Sequence, residues 1–84
     1  MAFTAEHLAE LNLLSKFNLS SINEGIKVHS HSAPEEAINA AQRLHAKGLI
    51  TQKDGGYLTS LGSETAEHAQ RLLSVLSDES NSTA

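Results

Sequence analysis

The chain has 84 residues, with ten Asp and Glu against six Lys and Arg, so its formal net charge is −4. A chain of this length holds one domain, whose small core is marginally stable unless a partner adds surface. It contains no cysteine, which excludes disulfides and thiolate metal sites and suits a reducing compartment. Because phosphate binding draws on clustered Lys and Arg, the acidic balance disfavours tight non-specific nucleic-acid binding.

The distribution of apolar residues argues against a membrane protein. No apolar run approaches the roughly 20 residues that span a bilayer. The first residues show neither a basic flank nor an apolar signal core. We therefore expect a cytoplasmic protein that does not contact membranes.

The first predicted helix runs from Ala5 to about Phe17, with Thr4 as its N-cap. Apolar residues recur at intervals of three and predict the stripe that faces the core. Leu13 falls off this stripe, which makes it a candidate contact with a neighbouring segment or a partner. The stripe consists of Leu8, Leu11, Leu14 and Phe17.

The second predicted helix begins near Pro34 and ends near Lys47. Ser32 and Glu35 match the capping-box pattern, and Gly48 suits the position just after a helix end. Before this helix, residues 25–29 alternate between apolar and polar and predict a short strand. The helix face predicted to point outward consists of Glu35, Glu36, Asn39, Arg43 and Lys47.

A β-hairpin follows, with strands over 49–52 and 57–59 and a glycine-containing turn over 53–56. Gly56 is predicted to have a positive φ angle. Thr59 or Ser60 then caps a third helix that reaches about Leu76.

The third helix has an apolar face wider than the stripe needed to pack on one core. Ala66, Leu73 and Val75 extend it, so we predict that these residues, together with Leu13, contact a protein partner or a second copy. The sequence predicts one domain over residues 1–76 and a disordered polar tail over residues 77–84, which lack large apolar residues.

Two segments resemble parts of winged-helix proteins. Residues 43–50 (RLHAKGLI) are similar to the end of a recognition helix entering the wing, and residues 57–64 (YLTSLGSE) to the second wing strand and the next helix. The resemblance covers about residues 34–76. It implies an α+β, mostly helical, winged-helix-like domain with three main helices and a C-terminal β-hairpin wing.

The chain as a whole also resembles a small gammaproteobacterial family of uncharacterised proteins. The resemblance is carried by residues 11–19 (LNLLSKFNL), 24–29 (EGIKVH) and 54–62 (DGGYLTSLG). It implies a bacterial protein and no particular activity.

DNA binding is the main alternative that the winged-helix resemblance raises. A helix-turn-helix has a positioning helix before the recognition helix, but residues 18–33 show no second amphipathic pattern. The N-terminal half of the second helix also carries two glutamates, which repel phosphates. The candidate DNA-facing residues for this alternative are Asn39, Arg43, Lys47 and Lys53.

The sequence offers little for catalysis or cofactors. Every serine lies in a cap, a turn or the tail, and no Gly-rich phosphate loop precedes a helix. His7, His45 and His68 fall on three different helices without a short fixed spacing, so we expect hydrogen-bonded histidines and no metal. The prediction is a non-enzymatic, cofactor-free module that acts through protein contacts, including self-association, and has no small-molecule substrate.

Overall fold

The computed structural model of the protein describes residues 2–21 and 24–77. It is a small α+β fold with three helices and a three-stranded antiparallel sheet, which bears out the predicted class at that level. Asn23 and the predicted tail beyond Ser77 lie outside the described residues. The elements are α1 (Ala5–Leu14), β1 (Ile26–Lys27), α2 (Glu35–Ala46), β2 (Ile50–Gln52), β3 (Gly55–Leu58) and α3 (Ser60–Ser77).

Helix α1 begins as the sequence predicts and ends three residues earlier. The Thr4 hydroxyl accepts a hydrogen bond from the His7 N–H, and the Thr4 N–H donates to His7 Nδ1, each at 3.1 Å. At the other end Ser15 is the C-cap, and its hydroxyl donates to the Asn12 carbonyl at 2.7 Å. A serine that bonds a nearby carbonyl competes with helical hydrogen bonding. Phe17 therefore reaches the core from a turn and not from the helix.

The start of α2 differs from the prediction. Pro34 is the N-cap and makes no side-chain cap, so the predicted capping box of Ser32 and Glu35 is wrong. The backbone N–H of Ser32 instead donates to the His29 carbonyl at 3.1 Å. Pro34 has the extended ψ angle of 147°, which places the first helical residue after it. At the other end Gly48 has a φ angle of 83°, as predicted for the residue that ends the helix.

The sheet joins the predicted hairpin to the predicted upstream strand. Its order is β1-β3-β2, with Ile26 opposite Gly56 and Ile50 opposite Leu58. Gly56 has a φ angle of 73°, which confirms the prediction, but it lies within β3 and not in the turn. The register shifts between β2 and β3, where the Thr51 hydroxyl accepts a hydrogen bond from the Tyr57 N–H at 2.9 Å.

Thr59 connects the hairpin to both flanking helices. Its hydroxyl accepts from the Gly62 N–H at 3.0 Å, which caps α3, and donates to the Gly48 carbonyl at 2.6 Å. The Gly62 backbone lies so close to the Leu49 carbonyl that a β-carbon has no room there. The beginning of α3 is therefore fixed against the end of α2 and the start of β2.

The core lies between the three helices and one end of the sheet. Helix α1 packs on α2. Helix α3 contacts the end of α1, where Gln70 Nε2 donates to the carbonyls of Leu14 and Phe17 at 3.2 and 2.8 Å. The buried apolar residues are Leu13, Leu14, Phe17, Val28, Ala40, Ala41, Leu44, Leu49, Ile50, Ala66 and Ala69.

The helices in the described part of the chain are too short or too polar to cross a lipid bilayer.

Candidate protein-contact surface

The C-terminal part of α3 projects its apolar side chains into solvent. Every residue over 71–77 is exposed, and four of these seven residues are large and apolar. Leu73 is 52% exposed and Leu76 is 75% exposed. The largest exposed apolar patch of a small protein is often an interaction site, which makes this group a candidate.

Helix α1 contributes a further exposed leucine beside this end of α3. Leu8 is 56% exposed, although the sequence pattern predicts it in the core stripe. Leu8 lines one groove together with Leu72, Leu73 and Leu76. We call these four leucines the α1–α3 surface.

The α1–α3 surface contains an open groove of about 120 Å³. None of the residues that line it carries a charge, in a chain with ten acidic residues. The polar residues in its lining are Asn12 of α1 and Ser15, the C-cap of that helix. The lining residues are Leu8, Leu11, Asn12, Ser15, Ala69, Leu72, Leu73 and Leu76.

The spacing of small and large residues along α3 explains why this surface forms. Ala66, Ala69 and Leu73 follow each other at three- and four-residue intervals and so share one face of the helix. The two alanines are buried in the core, whereas Leu73 is half-exposed. The apolar face of α3 therefore continues beyond the part of the helix that the core covers.

Two of the predicted contact residues are in the core instead. Leu13 is 3% exposed and Ala66 is 0% exposed, so neither is available at the surface, and their prediction as contact residues is corrected. Leu13 lies off the predicted apolar stripe of α1 and is nevertheless buried, because its side of the helix faces α2. Leu73 and Val75 are exposed, and Leu73 lines the groove while Val75 does not.

The counterpart of the exposed Leu8 is a buried glutamate on the same helix. The Glu10 side chain is only 10% exposed and contacts two cations of α2. Its Oε2 accepts from Arg43 Nε at 2.9 Å, and its Oε1 accepts from Lys47 Nζ at 2.5 Å. A buried carboxylate is tolerated when both of its oxygens are paired in this way.

The electrostatics of Glu10 follow from these contacts. Burial raises the pKa of its carboxyl, but the hydrogen bonds and charges of Lys47 and Arg43 outweigh burial, so the pKa lies below its ordinary value of 4.5. The ion pairs join α1 to α2 over a separation of 33 residues or more. No short-range sequence pattern reveals a pair so distant, which is why the sequence did not indicate it.

These ion pairs involve two of the predicted DNA-facing residues. Arg43 and Lys47 both pair with Glu10 of α1; the Arg43 side chain is 28% exposed, whereas the Lys47 side chain is 50% exposed. Asn39 is exposed on α2 and Lys53 is exposed in the β2–β3 turn. Of the four predicted residues, Arg43 is partly covered and the other three are exposed.

Apart from the Glu10 ion pairs, the polar features of the described residues include histidines and one open groove that is rich in hydroxyl groups. Residues 2–21 and 24–77 hold no group of three His, Asp or Glu side chains arranged as metal ligands. His7 serves in the N-terminal cap of α1. An open groove of about 450 Å³ beside α3 is lined by Glu24 and Glu67 together with several hydroxyl groups.

The chain is a small α+β domain with an exposed apolar surface formed by α1 and α3. The chain belongs to the family of unknown function DUF5669, whose family model matches residues 1–77. No curated protein and no solved structure matches this chain.

Proposed function

We propose that this protein is a non-enzymatic, winged-helix-like binding module that acts through protein–protein contacts as a homodimer. The observation that carries the proposal is the α1–α3 surface, where four leucines are exposed around an uncharged groove. Burial of apolar area is the main favourable contribution to protein association. No residue is given a catalytic role in this proposal.

The order of the elements supports the winged-helix-like part of the proposal. A helix that ends at a positive-φ glycine leads into an antiparallel hairpin, and a threonine-capped helix follows. β1 pairs with the second hairpin strand, as the base of a wing requires. The described residues between α1 and α2 form turns and β1, where a helix-turn-helix has its positioning helix.

The charge of α2 weighs against the alternative, a DNA-binding regulator. Glu35 and Glu36 are exposed in its first turn, where a recognition helix would meet the bases and phosphates. Arg43 of α2 and Lys47 at its C-cap pair with Glu10, although half of the Lys47 side chain stays exposed. The exposed first turn of α2 is therefore acidic, which suits a protein partner better than a polyanion.

Analytical ultracentrifugation tests the proposed self-association. Wild-type protein is expected to shift from monomer to dimer between roughly 10 and 500 μM, a range typical of small interfaces. Leu73→Glu is expected to keep its helical circular dichroism and to remain monomeric, because a charge at an apolar contact costs several kcal/mol, ~2–7 for an unpaired polar group.

Leu61→Glu is the matched control. Leu61 lies on the same helix and is 52% exposed, as Leu73 is, but it does not line the groove. The control is expected to dimerise like the wild type. Wild-type protein that stays monomeric throughout the range would overturn the proposal, and equal loss of dimer in both variants would place the contact elsewhere on α3.

A further inference from the structure

We infer that a second copy of this chain covers the α1–α3 surface, and that Leu76 of each copy inserts into the α1–α3 groove of the other. The inference rests on the proposed self-association and adds the contact geometry. It brings α1 into the interface, and it requires a two-fold symmetric contact.

Leu76 and the groove fit each other in size and position. Leu76 is the most exposed of the exposed large apolar residues, at 75%. The groove beside it measures about 120 Å³. This volume suits one large apolar side chain, since an engineered apolar cavity of about 150 Å³ accepts benzene.

The charge of the surface favours a second copy over a charged partner. Each chain carries a net charge of −4, so two copies repel each other over most of their surfaces. The groove lining contains no charged side chain. Contact through this surface therefore avoids placing like charges opposite each other.

The protruding residue and the groove that receives it belong to one patch, which is the requirement for a closed dimer. In a two-fold contact each copy supplies the same patch. Leu76 of each chain therefore meets the groove of its partner, and the same contact occurs twice in the dimer. The C-terminal end of α1 contacts α3 at Gln70, while Leu8 near the N-terminal end of α1 lines the groove with Leu76. The two helices are thus antiparallel, and two such pairs pack as four helices.

The size of the surface sets the expected strength. Two helices about 10 Å wide and about 15 Å long present a face of roughly 300 Å². This is less than the ~800 Å² that each partner contributes to a standard interface. We therefore expect a dimer that dissociates in the micromolar range and not an obligate one.

Disulfide trapping tests the geometry directly, because the chain has no cysteine of its own. Equal amounts of Leu76→Cys and mass-tagged Asn12→Cys chains are mixed and oxidised at a concentration where the wild type is dimeric. Asn12 lines the groove from α1, so a mixed disulfide between the two chains is expected. Gln42→Cys, on the exposed face of α2, replaces Asn12→Cys as the control and is expected to give at least tenfold less mixed product.

Charge substitution provides an independent measurement. Leu76→Glu is expected to raise the dimer dissociation constant at least tenfold, and Leu76→Ala about fivefold. Ser74→Glu adds the same charge to the same turn of α3, outside the groove lining, and is expected to change the constant less than threefold. A wild-type dimer that yields no mixed disulfide at position 12 and tolerates Leu76→Glu overturns this geometry while leaving self-association intact. A wild-type monomer overturns both.

Discussion

At the scale of single residues, two positions of α1 reverse the usual distribution of polar and apolar side chains, whereas its Leu13 and Leu14 are buried as usual. The helix buries Glu10 and exposes Leu8, which lies two residues earlier. Glu10 is stable in that position because Arg43 and Lys47 each donate to one of its oxygens. The same two contacts partly offset the positive charges of Arg43 and Lys47, so one residue both joins two helices and alters the charge of the surface beside α2.

Replacing Glu10 by glutamine should remove a pH-dependent part of the stability. The folded-state pKa of Glu10 is lowered, so its contribution is fully present above the unfolded value of about 4.5 and is lost as the pH falls through the lower folded value. Glu10→Gln is expected to lower the free energy of unfolding at pH 7 by about 1–2 kcal/mol, as charged hydrogen bonds are replaced by weaker ones.

Urea unfolding at pH 7 and at acidic pH measures this effect as the difference between wild type and variant. The comparison cancels other carboxyls, including Asp54, whose pKa is lowered chiefly by its hydrogen bond with Lys27. The difference is expected to shrink as the pH falls below about 4.5. If the difference in the free energy of unfolding is the same at every pH, the charge of Glu10 contributes nothing to stability.

At the scale of elements, the β2–β3 hairpin depends on the backbone of Gly56. Its φ angle is 73°, and an added β-carbon would overlap the Thr51 side chain. A β-branched residue is strained in this region of φ. Gly56→Val is therefore expected to lower the free energy of unfolding by more than about 1 kcal/mol.

Thermal and urea unfolding of Gly56→Val measure the change, with Tyr57→Val as the control. Tyr57 is the next residue, is exposed and has a negative φ angle, so valine there should alter stability by less than about 0.5 kcal/mol. If both variants are as stable as the wild type, the hairpin does not have the backbone geometry described above.

The elements that the sequence predicted best are those with local chemical signals. Thr4 and Thr59 cap their helices through their own hydroxyls, Gly48 has the positive φ angle of a helix end, and Gly56 has a positive φ angle within β3. The start of α2 was predicted to within one residue of Glu35, but the capping box of Ser32 and Glu35 was predicted wrongly, because Pro34 is the N-cap and no side chain caps the helix. Local patterns therefore placed the helices and the hairpin but not every boundary.

The candidate contact surface was harder to predict, since it depends on which helices pack together. Leu73 was identified from the excess width of the apolar face of α3, and it is exposed beside the groove. Leu13 and Ala66 belonged to the same prediction and are buried. Leu8 was missed because it belongs to the apolar stripe of α1 that the sequence predicts to face the core. Only the packing of α1 shows which residues of this stripe stay exposed.

At the scale of the whole molecule, the distribution of charge predicts weak binding to DNA. The net charge is −4. Arg43 and Lys47 are paired with Glu10, and the first turn of α2 exposes Glu35 and Glu36. Affinity for duplex DNA comes mainly from the phosphates that cations neutralise. We therefore expect a dissociation constant no tighter than about 10 μM for random duplex DNA at physiological salt, within the usual non-specific range.

Fluorescence anisotropy with a labelled random duplex, repeated over a series of salt concentrations, measures this affinity. Few phosphate contacts should give a shallow dependence of the logarithm of the binding constant on the logarithm of the salt concentration. The double variant Glu35→Lys/Glu36→Lys changes the charge of the first turn of α2 by four and is expected to bind measurably tighter, which shows that the assay detects this face. Nanomolar binding of the wild type with a steep salt dependence would favour a DNA-binding regulator instead, because it would mean that cations outside α2 engage the phosphates.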